Sequence, residues 1–314
     1  MASYLTKRIL RSFITLFIVC TIVFCLLRLM PIEGYFNNFD KLTESQVQRQ
    51  LEMKGLKDPL PVQLGHFYKD LIHGDLGKSN RYRPGVEITK ILADKIPVSM
   101  WLGAISLVIS LLLGIPLGRV MARYKGRIPD HLGTIFIVLI NAVPAVVYYL
   151  FIQMYGTSIL GIPILFTRGK WITYILPVFS LALGNISYYA MWLRRYMIDE
   201  SNKDYVKLAV AKGMKSRDVM NKQIFRNAFV PLIQYIPTSF LLTLVGSIYI
   251  ESLYSIPGMG GLLVKSIQGQ DNTIVQALVL IYSALSIAGL IIGDIMMTMI
   301  DPRISFSKKG GARY

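Results

Sequence analysis

Only two cysteines occur in the 314 residues, Cys20 and Cys25, and both sit in one apolar stretch. Five positions apart, they point to different faces of a helix, so a disulfide framework, a zinc site and an iron-sulfur centre are excluded. Histidine is as scarce: His66, His73 and His131 are scattered, with no H-E-x-x-H pair to hold zinc. Charge is also short. Charged residues make up 17% of the chain against 53% hydrophobic ones, and the mean hydropathy is +0.48, a balance too apolar for most soluble domains of this length. Acidic residues are the rarer sign, 18 against 34 Lys and Arg, for a net charge of +16. In a chain with so much lipid-compatible sequence, that excess reports membrane topology rather than nucleic-acid binding.

What the chain does contain is six apolar runs, at residues 9–30, 99–121, 132–155, 172–193, 232–256 and 274–300. Each meets the requirement of about 20 residues for a helix that crosses a hydrocarbon core, and none shows the alternation of a barrel strand. The expected fold class is therefore all-α, a polytopic membrane protein with six transmembrane helices in one domain covering residues 1–314. The first run follows Lys7, Arg8 and Arg11, as a signal peptide would, but it is too long for an h-region and no small-residue cleavage site follows. It reads as an uncleaved first helix. Basic residues cluster in alternate connections, 4 in residues 119–131 and 9 in 194–231, against 2 in 157–171 and 1 in 257–273. By the positive-inside rule both termini and the 194–231 loop face the cytoplasm, in the cell membrane. The long external segment 31–98, with 10 basic and 9 acidic residues, suggests a small helical cap on the outer mouth.

Catalytic motifs fail one by one. Gly74-Asp-Leu-Gly-Lys-Ser79 looks like the end of a phosphate-binding loop, but Ile72 stands where that loop needs its first glycine. An intramembrane aspartyl protease would need G-x-G-D, and Gly293-Asp294 is preceded by Ile291 and Ile292. Ionisable groups within the spans are functional candidates, because one at the bilayer centre costs roughly 2.5 to 3.5 kcal/mol. Glu251, near the outer end of the fifth run, and Asn141 in the third are the candidates for lining a permeation path; Asp294 reads as structural. Gly114-x-x-x-Gly118 and Gly289-x-x-x-Gly293 read as packing seams. Pro116, Pro144 and Pro237 imply bends. Pro257, Gly258, Gly260 and Gly261 end the fifth helix and allow a tight external turn across 257–273.

The cytoplasmic loop carries the sharpest signal. Ser201-Asn-Lys-Asp204 has the form of a capping box, and Tyr205, Leu208 and Ala209 then recur at helical spacing until Gly213. A second helix is expected from a cap at Ser216, with Pro231 beginning the return to the membrane. The small residues Ala209, Ala211 and Gly213 let another protein surface come close. A basic loop lying on anionic membrane lipid is the plainer alternative, though headgroups do not require small residues.

The segment DYVKLAVAKGMKSRDVMNKQIFRNAFVP, residues 204–231, resembles the cytoplasmic signature loop of ABC import permeases of the oligopeptide, dipeptide and nickel group. Other segments agree in order: Leu26 to Pro31, Gly74 to Ser79, Gly114-Ile-Pro-Leu-Gly118, Glu251 to Gly260, and Asp301-Pro-Arg-Ile304. The long external segment resembles the B-type subunit. The general importer signature carries a glutamate and a proline where this chain has Lys207 and Arg226, so no contact of that glutamate carries over.

The resemblance implies a type I ABC importer permease fold. It further implies that Lys207, Leu208, Ala209, Ala211, Lys212 and Gly213 dock an ATPase, with Pro257, Gly258 and Gly260 in a gating turn on the outer side. The implied partners are a homologous second permease, two cytoplasmic ABC ATPase subunits and an extracytoplasmic substrate-binding protein, with no cofactor, no metal and no catalytic residue in this chain. The implied cargo is a short peptide, with nickel chelates or oligosaccharides as the alternative in the same class. A secondary transporter driven by an ion gradient through Glu251 and Asp294 is the competing class, and an intramembrane enzyme a distant third.

Overall fold

A computed structural model of the chain describes residues 2–36, 39–244 and 247–300. The Asp301-Pro-Arg-Ile304 motif and the basic tail lie outside the described residues. Regular structure among them is helical, with one isolated bridge pair, Lys78 and Glu87. In chain order come α1 (Ala2–Arg28), α2 (Glu44–Met53), α3 (Leu60–Ile72), α4 (Ile88–Arg123), α5 (Ile128–Ala142) and α6 (Ala145–Leu160). Then follow α7 (Ile175–Ser201), α8 (Asp204–Ala211), α9 (Ser216–Asp218), a π turn (Val219–Ile224), α10 (Phe225–Leu244), α11 (Ile248–Leu253), α12 (Met259–Gln268) and α13 (Asn272–Ile300). Five helical stretches are long and apolar enough to cross a membrane, or six if α5 and α6 count as one span.

Two of the expected spans are broken. Residues 132–155 do not form a single third helix: α5 and α6 meet at a bend of 105°. Pro144 lacks an N–H and its ring pushes the residue before it out of helical space, and Val143 sits at φ −88, ψ 129. The expected fifth helix, 232–256, divides into α10 and α11, the latter capped by Ser247, whose hydroxyl accepts from the Ile250 amide at 3.3 Å. Not every proline interrupts. α4 runs through Pro97 and Pro116, and α10 through Pro231 and Pro237. The second span is also longer than 99–121, and the external connection 257–273 contains α12 rather than a turn alone.

Between helices in lipid there is no hydrophobic drive to associate, so close packing depends on small residues. A Cβ at Gly114 would lie 3.0 Å from the Ile186 carbonyl oxygen, and one at Gly118 would lie 2.6 Å from that of Ala190, so α4 touches α7 backbone to backbone. On the other seam, a Cβ at Gly289 would lie 2.9 Å from the Thr238 Cα, and one at Gly293 would overlap the Gln234 carbonyl of α10. Asp294, beside that contact, accepts from Gln234 Nε2 at 2.7 Å and is 1% exposed. Helix α1 stands outside this core. It packs on α13 and α3 and leaves Phe13 and Phe17 65% and 54% exposed, a face suited to lipid. Residues 31–98 build a cap with its own small core of Tyr35, Phe36, Val47 and Leu51.

Replacing Gly118 by leucine should lower the thermal unfolding midpoint of the detergent-purified protein by an amount corresponding to at least about 1–3 kcal/mol of overpacking. Gly65 in α3 is the control, because a Cβ added there would meet nothing within 4 Å and its φ is not left-handed. Gly65→Ala should leave the midpoint unchanged or raise it, by up to about 1 kcal/mol of helix propensity.

Candidate docking site and outer clamps

The basic loop is a rigid extension of the helix core. Val206 and Ala209 of α8 are 6% and 7% exposed and join a cluster with Leu193 and Met197 of α7, Val219 and Ile224 of the π turn, and Ala228 and Leu232 of α10. Burying one valine of this kind contributes roughly 1.5–3 kcal/mol, enough to hold a helix of only eight residues that could not stand alone. The helix stops where sequence expects it to. Gly213 takes φ +78, its amide donates to the Val210 carbonyl at 2.9 Å, and the Met214 amide donates to that of Ala209 at 3.2 Å, the paired bonds of a Schellman stop.

Its start differs from expectation. Ser201 is the last residue of α7, not the first of a capping box, and its hydroxyl donates to the Ile198 carbonyl at 2.6 Å. Lys203 occupies the N-cap position of α8, and Lys215 rather than Ser216 that of α9. The six-residue π turn that follows inserts extra backbone between α9 and α10. Its Asn221 accepts from Arg119 Nη2 at 2.5 Å, tying the loop to the end of α4.

Burial divides the expected docking residues. Lys207, Leu208, Ala211, Lys212 and Gly213 are exposed, whereas Ala209 is inside. Ala209 is small because it packs on this chain's own core, which corrects its assignment to a partner-facing surface. Leu208 and Val210, 56% and 58% exposed, supply an apolar ridge on a loop rich in lysine. Lys207, in the place of the importer glutamate, pairs with Asp204 at 2.8 Å on the surface, and that ammonium holds the Asp204 carboxyl below the usual range. Tyr205 braces the helix from the side. Its hydroxyl donates to Glu200 Oε2 at 2.5 Å and accepts from Asn227 Nδ2 at 2.9 Å. Burial, with the Glu200 carboxylate adding to it, pushes that hydroxyl up to about 12, so it stays protonated and keeps donating across the physiological range.

At the opposite end two carboxylates act as clamps. Glu251 is 1% exposed; its Oε1 accepts from the Ser99 hydroxyl at 2.7 Å and its Oε2 from the Gly261 amide at 2.9 Å, while Ser99 Oγ accepts from the Met259 amide at 2.8 Å. The carboxylate of α11 and the serine of α4 thus cap the first turn of α12, where free amides favour negative charge. This is a different task from the path-lining one expected of Glu251. It also explains Gly258, where a Cβ would fall 2.5 Å from the Glu251 carboxylate; Gly260 answers to a different neighbour, since a Cβ there would lie 2.8 Å from the Ile248 amide nitrogen at the start of α11. Asn141, the other path candidate, donates to Ser187 Oγ at 2.8 Å and so joins α5 to α7.

The second clamp escaped sequence reasoning. Asp271, fully buried, accepts from the Ser79 hydroxyl at 2.6 Å and the Arg81 and Tyr82 amides at 2.9 and 3.0 Å, and it caps α13 through the Ile274 amide at 3.3 Å. Ser79, the last residue of the failed phosphate-loop motif, therefore serves to hold the cap on α13. An aspartate just before a helix was the available signal. Also missed was the bidentate pair of Arg194 with Asp130, at 2.5 and 2.8 Å, which locks α5 to α7 near the basic loop. Neither residue stands in a recognisable spacing.

Comparison with known proteins follows the same outline. Residues 114–306 match the family described as binding-protein-dependent transport system inner membrane component. The oligopeptide transport system permease protein AmiC of Streptococcus pneumoniae is 39% identical over 67% of this chain, and the chain spans 42% of that relative's length. The dipeptide transport system permease protein DppB of Lactococcus lactis is 32% identical over 97% of this chain and 99% of its own. In fold, the chain is similar to a crystal structure described as an amino acid ABC transporter with histidines, with a TM-score of 0.52 and 17% identity over 69% of this chain and 95% of that one.

Two stability contrasts check the site. Ala209→Leu should lower the unfolding midpoint by the equivalent of about 1–3 kcal/mol, whereas Leu208→Ser should stay within about 0.5 kcal/mol of the parent. Glu251→Ala should cost about 1–3 kcal/mol by stripping buried donors of their acceptor, seen as lower yield and midpoint before any transport is measured.

Proposed function

The chain belongs to the family of binding-protein-dependent transport system inner membrane components, a multi-pass membrane subunit of a larger transporter, and on that premise we propose that it forms half of the translocation pathway of an ATP-driven importer of short peptides. The observation that carries the reading is the split face of α8. Val206 and Ala209 are anchored in the α7 and α10 core, while Leu208 and Val210 stand free as an apolar ridge between lysines.

A surface of that kind is a socket for a protein, and a rigid one. Tilting α8 tilts α7 and α10 with it, because their side chains share one cluster. The proposed partners are a homologous permease that supplies the other half of the pathway, a pair of cytoplasmic ATPases that grip the α8 ridges, and an extracytoplasmic binding protein that delivers cargo to the outer surface. ATP binding energy is supplied by the ATPases. For it to do work, the ATPases must hold the inward- and outward-facing states with different affinity, since a partner indifferent to the two shifts nothing. The peptide assignment is supported by the names of the relatives, an oligopeptide and a dipeptide permease. Nickel chelates and oligosaccharides are alternatives in the same class. With Glu251 and Asp294 both engaged in hydrogen bonds within the chain, an ion-gradient carrier has less to work with.

In proteoliposomes holding the full complex, uptake of a labelled peptide should continue when a protonophore collapses the proton gradient and ATP is preserved; loss of uptake would favour a gradient-driven carrier. The double change Leu208→Glu with Val210→Glu should leave the unfolding midpoint of the chain near the parent's and abolish co-purification of the ATPases, with peptide uptake at background. Retained assembly and uptake would remove the α8 ridge from the account.

A further inference from the structure

Given the peptide-import function, on which this rests, we propose that the angle between α7 and α10 is the wall of this chain that touches cargo. Asn185, Tyr188, Trp192, Tyr196 and Tyr235 there hold a peptide in transit by its backbone amides and by stacking on its side chains.

At about 100° per residue, Leu181, Asn185, Tyr188, Trp192 and Tyr196 fall within about 80° of arc on α7. Other sides of that helix are taken. α4 seats on it at Ile186 and Ala190, α5 is tied to it by Asn141 with Ser187 and by Asp130 with Arg194, and α6 packs on it as well. On the remaining arc the side chains are half-buried, and their rings form a chain. Ring centroids of Tyr188 and Trp192 are 6.2 Å apart, those of Trp192 and Tyr196 5.6 Å, and Tyr235 of α10 meets Tyr188 edge-on at 5.8 Å. The hydroxyls of Tyr188 and Tyr196 both lie beside that of Tyr235, a residue 38% exposed.

Depth and polarity decide what faces this wall. Tyr188 is the central residue of α7, about 20 Å from either end, far from the interfacial belts that suit tyrosine and tryptophan in lipid. One turn outward, the Asn185 amide makes no hydrogen bond among the described residues, and an amide turned to hydrocarbon in that state is costly. Faces that suit lipid look different. α5 presents Leu132, Ile135, Val138 and Leu139, each more than half exposed and none with a polar tip. A seam for another helix looks different too: α4 and α13 use glycine pairs that let backbones touch, whereas here bulky aromatic side chains stand on the arc. Rings with polar tips beside an unpaired amide suit a ligand that passes. The Asn185 amide offers a donor and an acceptor to a peptide group, the phenolic hydroxyls do the same, and the rings stack on side chains of many kinds. The arc carries no charge from Leu181 to Tyr196, so it does not favour cargo of one sign. Because α7 and α10 share one cluster with α8, movement of the docking helix reaches this wall directly.

Photolabelling tests this in proteoliposomes of the full complex, with ATP and a tripeptide whose central residue bears a diazirine. Adducts are expected at Asn185, Tyr188, Trp192, Tyr196 or Tyr235, cleared by excess trialanine, and not at Ile135 on the α5 lipid face. The mapping uses the unaltered chain, so it stands even where a variant fails to fold. In the same vesicles Asn185→Leu should lower kcat/KM for tripeptide uptake about three- to tenfold, as loss of one hydrogen bond requires, with co-purification of the ATPases unchanged. Ile135→Ala should keep the parent's value, and lysine- and glutamate-containing tripeptides should suffer alike in Asn185→Leu. Adducts that map elsewhere, or Asn185→Leu uptake equal to the parent's, would overturn the proposal. So would labelling of the wall by a diazirine phospholipid and not by the tripeptide, which would make it a lipid face, or clearance of the adducts by maltotriose and not by trialanine, which would make it a sugar site. A parent complex without ATP-driven peptide uptake would remove the import function and this wall with it, whereas intact uptake with adducts elsewhere would remove the wall alone.

Discussion

Two backbone-to-backbone approaches hold the membrane part of this chain together, α4 against α7 at Gly114 and Gly118, and α13 against α10 at Gly289 and Gly293. In hydrocarbon a leucine gains nothing by leaving lipid for a neighbouring helix, so contact area and dispersion must do what water exclusion does in a soluble core. Contact of that quality needs the helices to approach until carbonyl oxygens meet the partner's α-carbons. The consequence reaches beyond the spans. The α4–α7 seam continues through Leu107, Tyr189, Leu193 and Met197 into Val206 and Ala209, so the basic loop is packed as part of the bundle rather than hung from it.

Buried carboxylates do the complementary work at the ends. Asp130 with Arg194, Glu251 with Ser99, and Asp271 with Ser79 each join elements distant in sequence. Each sits where backbone amides or a guanidinium offset the loss of water. A carboxylate so placed is costly to disturb, because removing it leaves its donors buried and unsatisfied. That physics gives Glu251 an identity sequence reading did not foresee. Charge inside a span suggests a conducting role until the amides of an adjacent helix start are found around it.

The spans were legible because burial in lipid imposes a compositional rule about 20 residues long, and no tertiary contact is needed to obey it. The stop of α8 at Gly213 was legible for a similar reason, since a left-handed residue and its two returning hydrogen bonds are local. Cap positions were less so. Ser201 offered the right side chain at the right spacing, but α7 runs on through it and the chain turns at Asn202 and Lys203. The 105° bend at Pro144 and the continuity of α4 through Pro116 show the same limit: a proline announces a missing N–H, and neighbouring helices decide whether the axis breaks.

The amino-acid sequence alone determined that this is an all-α, multi-pass membrane subunit, which short-connection charge it carries and where its small-residue seams fall. All of these are properties of composition and near-neighbour spacing. Only the tertiary structure decided that Ala209 faces inward while Leu208 and Val210 face out, that Glu251 and Asp271 are clamps, and that the failed phosphate-loop motif anchors the cap. Those assignments depend on which residues, often more than a hundred positions apart, arrive within hydrogen-bond distance of one another. Distance of that kind is set by helix packing, and no local pattern encodes it.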